Sequence, residues 1–370
     1  MQQKKACEPM KDLSLTLSLK EELRSVASRI DLLLAEDPFP ASVFVPSLQE
    51  AVRRYPVRGG KRLRPALLLW ACQAMGGTAE EALHAGAACE VFHSWTLVHD
   101  DIIDEDDFRR GKPTEHVELA AHAAKVYSRS ETLCSKFGHD FAILAGDIQQ
   151  AWANDLLLRT PCEPSLVLFL AKRMQQILNC ELVSGEALDV ELPMRRMEEI
   201  TFEDVFTVIE GKTVCLLKFA LQCGGMIGLK KADPEDPRIR ALGEYARGLG
   251  IAFQLQDDYL GIYGKEEEFG KPLCSDFQEG KPTWVYLDAF HTLQGGKREE
   301  LLRLTGLKHY GTEEVAEIRT LLEDCGSTGR LKAEISKWTD SALESLAMLE
   351  DSPYRDLLEQ LARYLLQRSV

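Results

Sequence analysis

Carboxylates crowd the stretch HSWTLVHDDIIDEDDFRRGKPT, residues 93–114, where an apolar, aromatic run passes straight into Asp100, Asp101 and Asp104. On a helix, residues four apart stack on one face, so Asp100 and Asp104 present two carboxylates side by side while Asp101 turns away by about 100°. Like charges at this spacing oppose helix formation, and a nearby helix end would add the negative pole of its dipole. Such a pair gains by meeting a cation. A second acidic pair, Asp257 and Asp258 in FQLQDDYLG, also follows an apolar helical run. Two acidic segments facing one another across apolar surface suit Mg²⁺, a hard cation that keeps several waters and takes a few carboxylates plus substrate phosphates. Calcium needs a denser oxygen cage, and transition metals need histidine or cysteine at ligand spacing. A solvated acidic face is the plain alternative for a lone DDxxD; the apolar backing and the second pair weigh against it.

Cations stand ready for an anion. YPVRGGKRLRP places Arg58, Lys61, Arg62 and Arg64 around a Gly-Gly turn, with Pro65 near a helix start. Arg109 and Arg110 follow the first acidic motif, Lys212 lies in EGKTV, and Lys271 and Lys281 lie in FGKPLCSDFQEGKPT. Guanidinium forks bind phosphate bidentately and lysine acts as a point charge. Ordinary surface charge explains any one lysine but not the whole set.

The surrounding elements read as helices. LKEELRSVASRIDLLLAED puts Leu19, Leu23, Val26, Ile30 and Leu33 on one face, and similar periodicity runs to the C-terminus without a convincing alternating strand. An all-α, single-domain bundle of long helices around a central cavity is expected over 17–370, with a flexible tail at 1–16. The 370 residues are 45% hydrophobic and carry a net charge of −15, which disfavours nucleic acid as a partner. Ten scattered cysteines without a CxxC pair suit a reduced, cytoplasmic protein. Apolar runs are broken before they reach a membrane span, and the N-terminus lacks the continuous apolar core of a secretory signal, so no transmembrane segment is expected.

In order, GGKRLRP, HDDIID…RRGKPT, AILAGD, GEALD, GKT, FQLQDD and FGKPLCSDFQEGKPT resemble the trans-prenyltransferases, the polyprenyl synthases of farnesyl and geranylgeranyl diphosphate synthase type. The likeness covers roughly residues 15–350. It implies that an allylic diphosphate ionises and that isopentenyl diphosphate attacks the cation, with three Mg²⁺ (Mn²⁺ as a substitute) and a homodimer. By this resemblance Asp100 and Asp104 hold two metals and Asp257 the third, with Asp101 and Asp258 in close support. Arg109, Lys212 and Lys271 neutralise the departing diphosphate. Lys61, Arg64, His93 and Arg110 hold isopentenyl diphosphate, Thr213 and Gln254 line the reacting centre, and Lys281 is a further phosphate-side lysine. Two positions depart from the pattern. Gly261 stands where many relatives have a third aspartate, and Glu186 replaces a common glutamine while Asp189 is kept.

Product length depends on what blocks the far end of the channel. Trp95, five residues and about 7.5 Å before Asp100 on a helix, is expected to project near the same face and form a floor, with Phe92 a second floor one turn deeper. Thr96 is small, unlike the double-aromatic floor of many farnesyl synthases. By resemblance this pattern suits a C20 product. A farnesyl synthase, a class I terpene cyclase and a non-catalytic prenyl diphosphate-binding subunit are the rivals. The cyclase lacks its usual second metal motif here, and the intact acidic motifs disfavour the binding subunit.

Overall fold

The computed structural model describes residues 17–264, 273–307 and 310–366, and the periodic segments in it are helices. α1 (Leu17–Glu36), α2 (Pro46–Val57), α3 (Leu63–Ala74) and α4 (Ala79–Ile103) come first. α5 (Glu115–Tyr127), α6 (Glu131–Leu158), α7 (Pro164–Arg173) and α8 (Asn179–Glu191) follow. α9 (Phe202–Ile209), α10 (Cys215–Leu229) and α11 (Pro237–Tyr263) lead to a further set of helices ending at Pro353–Leu366. Among the described residues the only sheet is a hairpin of Phe108–Arg109 against Lys112–Pro113. The all-α expectation holds.

Local chemistry sets the boundaries that matter. Proline opens α2, α7 and α11, where its missing N–H leaves no intrahelical bond unmade. Thr78 and Glu81 close a capping box at the start of α4. The other end of α4 stops in a Schellman turn. Glu105 adopts φ 55°, the Asp106 N–H donates to the Asp101 carbonyl at 3.0 Å, and the Glu105 N–H donates to Ile102 at 3.4 Å. The chain therefore reverses directly after the acidic motif. It then turns again through Arg110 (φ 53°) and Gly111 (φ 70°), the paired left-handed residues of a tight hairpin. These two reversals fold Arg109 back onto the aspartates that precede it.

Packing assembles the walls. α4 lies along α6 and α3, α3 along α10, and α10 along α11. One apolar cluster is centred on α3, α4, α6 and α10; a second joins α9 and the later half of α11 to the helices after residue 275. The run Phe202–Leu229 is long and apolar enough to span a membrane, yet 78% of its apolar window is buried inside the fold, as in a core helix. Between α9 and α10 the chain widens into a π-turn, Glu210–Val214, which carries Lys212 and Thr213. Such turns are frequent at functional sites because the extra residue re-aims neighbouring side chains. Here the crossing with α8 is backbone on backbone: a Cβ on Gly185 would lie 2.6 Å from the Gly211 Cα.

Gly185→Ala is therefore expected to force these segments apart, lowering stability by about 1–3 kcal/mol, the range for overpacked sites. Thermal or denaturant unfolding measures this, and activity should fall further because Lys212 is displaced.

Candidate active site

A cavity of about 810 Å³ gathers nearly all the residues singled out above. Asp100, Asp104, Asp257 and Asp258 line it, as do Lys61, Arg64, His93, Thr96, Arg109, Arg110, Lys212, Thr213, Gln254 and Lys281. Lys271 lies outside the described residues. Asp101 is fully buried behind the wall.

The acidic side is a network of matched charges. Lys212 reaches Asp189 at 2.7 Å, Glu186 at 2.9 Å and Asp100 at 3.3 Å. Arg109 donates to Asp100 at 2.8 Å and also to Asp101, whose other oxygen accepts from the Tyr55 hydroxyl. Lys281 spans Asp104 at 3.2 Å and Glu279 at 2.7 Å. Burial opposes charge on Asp100, but Lys212, then Arg109 and Lys281, hold its carboxyl below the ordinary range. At Asp104 burial outweighs Lys281 and the carboxyl is pushed up. Burial also raises Glu186, and its Oε1 has no hydrogen-bond partner among the described residues.

The second acidic pair is different. Burial and then the Asp276 carboxylate push the Asp257 carboxyl up to about 7, and the same two causes raise Asp258. Among the described residues no ion pair offsets Asp257. A buried carboxylate beside a second carboxylate, with no ion pair of its own among the described residues, fits a divalent cation with oxygen ligands. No three ligating side chains among the described residues stand close enough to hold a metal by themselves. The remaining oxygens must come from water and phosphate, which is the habit of Mg²⁺. Gln254 ties this side to the π-turn, accepting from Thr213 Oγ1 at 3.1 Å and donating to Asp258 at 3.0 Å.

The basic side is built by the loop before α3. Arg62, left-handed at φ 48°, buries its guanidinium against Glu90 at 2.6 Å and Asp31 at 2.7 Å. That clamp presents Lys61 and Arg64 to the cavity, and the Arg64 Nε is buried with no partner among the described residues. Gly60 leaves room for Arg110, whose Nη1 would lie 3.3 Å from a Cβ at that position. Burial, then Arg64 and Arg110, drives the His93 imidazole well below its usual range. Burial and these two guanidiniums thus disfavour charge on His93, and a bound anion would act the other way.

The residues expected to form the floor stand apart from the cavity lining. Trp95 and Phe92 do not line this cavity; they pack edge to face with each other, ring centroids 4.9 Å apart, and Trp95 also meets His99 on the α6 side. Five residues turn a helix by about 140° net of full turns, whereas four turn it by about 40°. Thr96, not Trp95, is thus the α4 residue beneath Asp100 on the cavity face, with Leu97 and His93 beside it.

Sequence reasoning also passed over Asp276, Glu90 and Tyr55. Asp276 supplies from another segment a carboxylate that Gly261 does not, and the Cys274 N–H, donating to the Gly261 carbonyl at 2.8 Å, docks that segment. Its position between Lys271 and Lys281 in a phosphate-type motif was the available signal.

The Asp257 carboxyl is raised on folding, from 3.8 to about 7. This group favours the fold most below its unfolded value, and the benefit is lost as pH rises through 7; a divalent cation instead needs the charged form. Magnesium pyrophosphate affinity, measured by calorimetry, is thus expected to drop up to about tenfold per pH unit below 7 through this carboxylate. Asp257→Asn should flatten that dependence, and an unchanged slope would remove Asp257 from the metal site.

Comparison with known proteins agrees with this geometry. The family model described as polyprenyl synthetase matches residues 45–324. A geranylgeranyl diphosphate synthase of Methanosarcina mazei is 34% identical over 353 residues, covering 95% of this chain and 98% of that protein. The geranylgeranyl pyrophosphate synthetase of Pyrococcus horikoshii superposes with a TM-score of 0.81 at 30% identity, over 95% of this chain and 99% of that one. A geranylgeranyl pyrophosphate synthase of Corynebacterium glutamicum, complexed with isoprenyl diphosphate and magnesium, gives 0.83 at 27% identity, with the same coverage. With its two aspartate pairs and its basic loop on one cavity, and with these matches along its length, the chain belongs to the polyprenyl synthetase family.

Proposed function

We propose that this chain is a short-chain trans-prenyl diphosphate synthase, coupling isopentenyl diphosphate head to tail to dimethylallyl, geranyl or farnesyl diphosphate and ending at geranylgeranyl diphosphate. The observation that carries the reading is the shared cavity: two aspartate pairs, a separate arginine–lysine loop, and apolar walls from Leu97, Leu182, Leu216 and Phe253. Two anions need two charged sites, and a hydrocarbon needs the walls. The names of the relatives support a C20 product.

Asp100, Asp104 and Asp257 are the residues that would hold magnesium, three ions in all and replaceable by manganese, which when bound offsets the charge of the leaving diphosphate. Lys212, Arg109 and Lys281 stand where that charge develops, and fixed cations in a water-poor site are worth most there. Lys271 belongs to the same set, though it lies outside the described residues. Lys61, Arg64, Arg110 and His93 bind isopentenyl diphosphate. The Thr213–Gln254 pair directs polar atoms at the reacting centre, and the apolar walls keep water from quenching the allyl cation. The diphosphate product takes the final proton, so no protein base is assigned. The unit runs from residue 17 onward as one domain and works in the cytoplasm. Exposed Ile143, Leu144 and Leu158 on α6 support a homodimer.

Radiolabelled isopentenyl diphosphate with each allylic partner, followed by chromatography, tests the reading. A labelled C20 chain is expected, and no hydrocarbon should form from an allylic diphosphate alone. Asp100→Ala should cut turnover at least about 10²- to 10³-fold without unfolding the protein. Thr96→Phe should shorten the product, because it narrows the cavity face below Asp100; an unaltered product would move the chain-length stop elsewhere.

A further inference from the structure

α2 touches neither acidic pair through its own carboxylates, yet it grips the first motif from behind. Tyr55, buried on α2, donates its hydroxyl to one oxygen of Asp101, and the Arg109 Nε donates to the other. Both oxygens of Asp101 are thus engaged, and Arg109 is held so that its Nη2 reaches Asp100 at 2.8 Å. Burial and then the Asp101 charge push the Tyr55 hydroxyl far above its usual range, so it remains a donor. The same helix ties down the far side of the hairpin. Arg58, stacked 4.9 Å over the Tyr55 ring, donates to the Pro113 carbonyl at 3.1 Å and to Glu118 at 2.9 Å, while Arg54 pairs with buried Glu115. α2 then runs directly into the Lys61–Arg64 loop, whose Arg62 returns to the Pro56 carbonyl at 2.6 Å.

The geometry points to Tyr55 as a positioning residue for the allylic diphosphate, acting through Asp101 to fix the Arg109 guanidinium. It rests on the function proposed above and adds a residue on a different helix. Asp101 is a bridge in this arrangement, which separates its role from those of Asp100 and Asp104. Loss of the hydroxyl leaves one buried carboxylate oxygen unmatched and frees Arg109 to turn, with no change in the shape of the cavity.

Calorimetric titration of magnesium pyrophosphate into the full chain tests this, using wild type, Tyr55→Phe, Arg109→Lys and the double variant. Tyr55→Phe is expected to weaken binding about tenfold, the scale of one hydrogen bond to a charged group. The double variant should bind no more weakly than Arg109→Lys, since both changes cut the same chain. In the steady state, KM for the allylic diphosphate should rise while KM for isopentenyl diphosphate holds. Wild-type binding by Tyr55→Phe, or independent losses that multiply in the double variant, would overturn the inference. Arg54→Met, which loosens α2 without touching Asp101, controls for stability. It is expected to lower the melting temperature and leave pyrophosphate affinity intact, and an equal weakening by Arg54→Met would also overturn the role of Tyr55. Failure of wild type to bind magnesium pyrophosphate would instead strike the function itself.

Discussion

Carboxylates crowded together and taken out of water are the constraint on which this site depends. Taking an ion out of water costs several kcal/mol, while a pair about 4 Å apart regains roughly 4 kcal/mol at an effective dielectric near 20. Asp100, Asp189 and Glu186 share Lys212, Asp100 and Asp101 share Arg109, and Asp104 leans on Lys281. Asp257 lies beside the Asp276 carboxylate, and burial and then that like charge push its carboxyl up to about 7. The two acidic walls are thus unlike: ion pairs dominate the first, burial and like charge the second. A magnesium-bound diphosphate is an occupant that suits both, as its metals would pair with carboxylates on each wall and its phosphates with the cations of the first.

The backbone features around the site have one effect in common, which is to bring charges from distant sequence to within hydrogen-bond reach. The Schellman turn and the left-handed Arg110–Gly111 pair return Arg109 to the end of α4. The π-turn and the Gly185–Gly211 contact set Lys212 against α8, next to Glu186 and Asp189. Arg62, held by Glu90 and Asp31, sets the loop that carries Lys61 and Arg64. Left-handed conformations at non-glycine residues are costly, and three of them, Arg62, Glu105 and Arg110, flank this cavity. The rest of the fold over-determines them through α2, α3 and α4.

Much of this was legible in the residues themselves. Helical periodicity identified the all-α fold, because a 3.6-residue repeat must bury one face whatever its neighbours. Charge that has no reason to be near apolar surface marked Asp100, Asp104 and Asp257, and the clustered arginines and lysines marked the anion sites. Lateral relations were another matter. Trp95 stands about 140° round α4 from Asp100, and which face of a helix becomes a cavity wall is decided only by its neighbours. Asp276 and Tyr55 reach the acidic pairs across 18 and more residues of chain, and no local pattern encodes that approach.

The amino-acid sequence by itself determined the fold class, the charged motifs and their order, because periodicity and like-charge crowding are local properties. Only the tertiary structure decided which cation answers which carboxylate, that burial disfavours charge on His93, that Asp101 is a bridge, and that Thr96 faces the cavity. Those are properties of burial and of distances between segments far apart in the chain, and they exist only once the helices have packed.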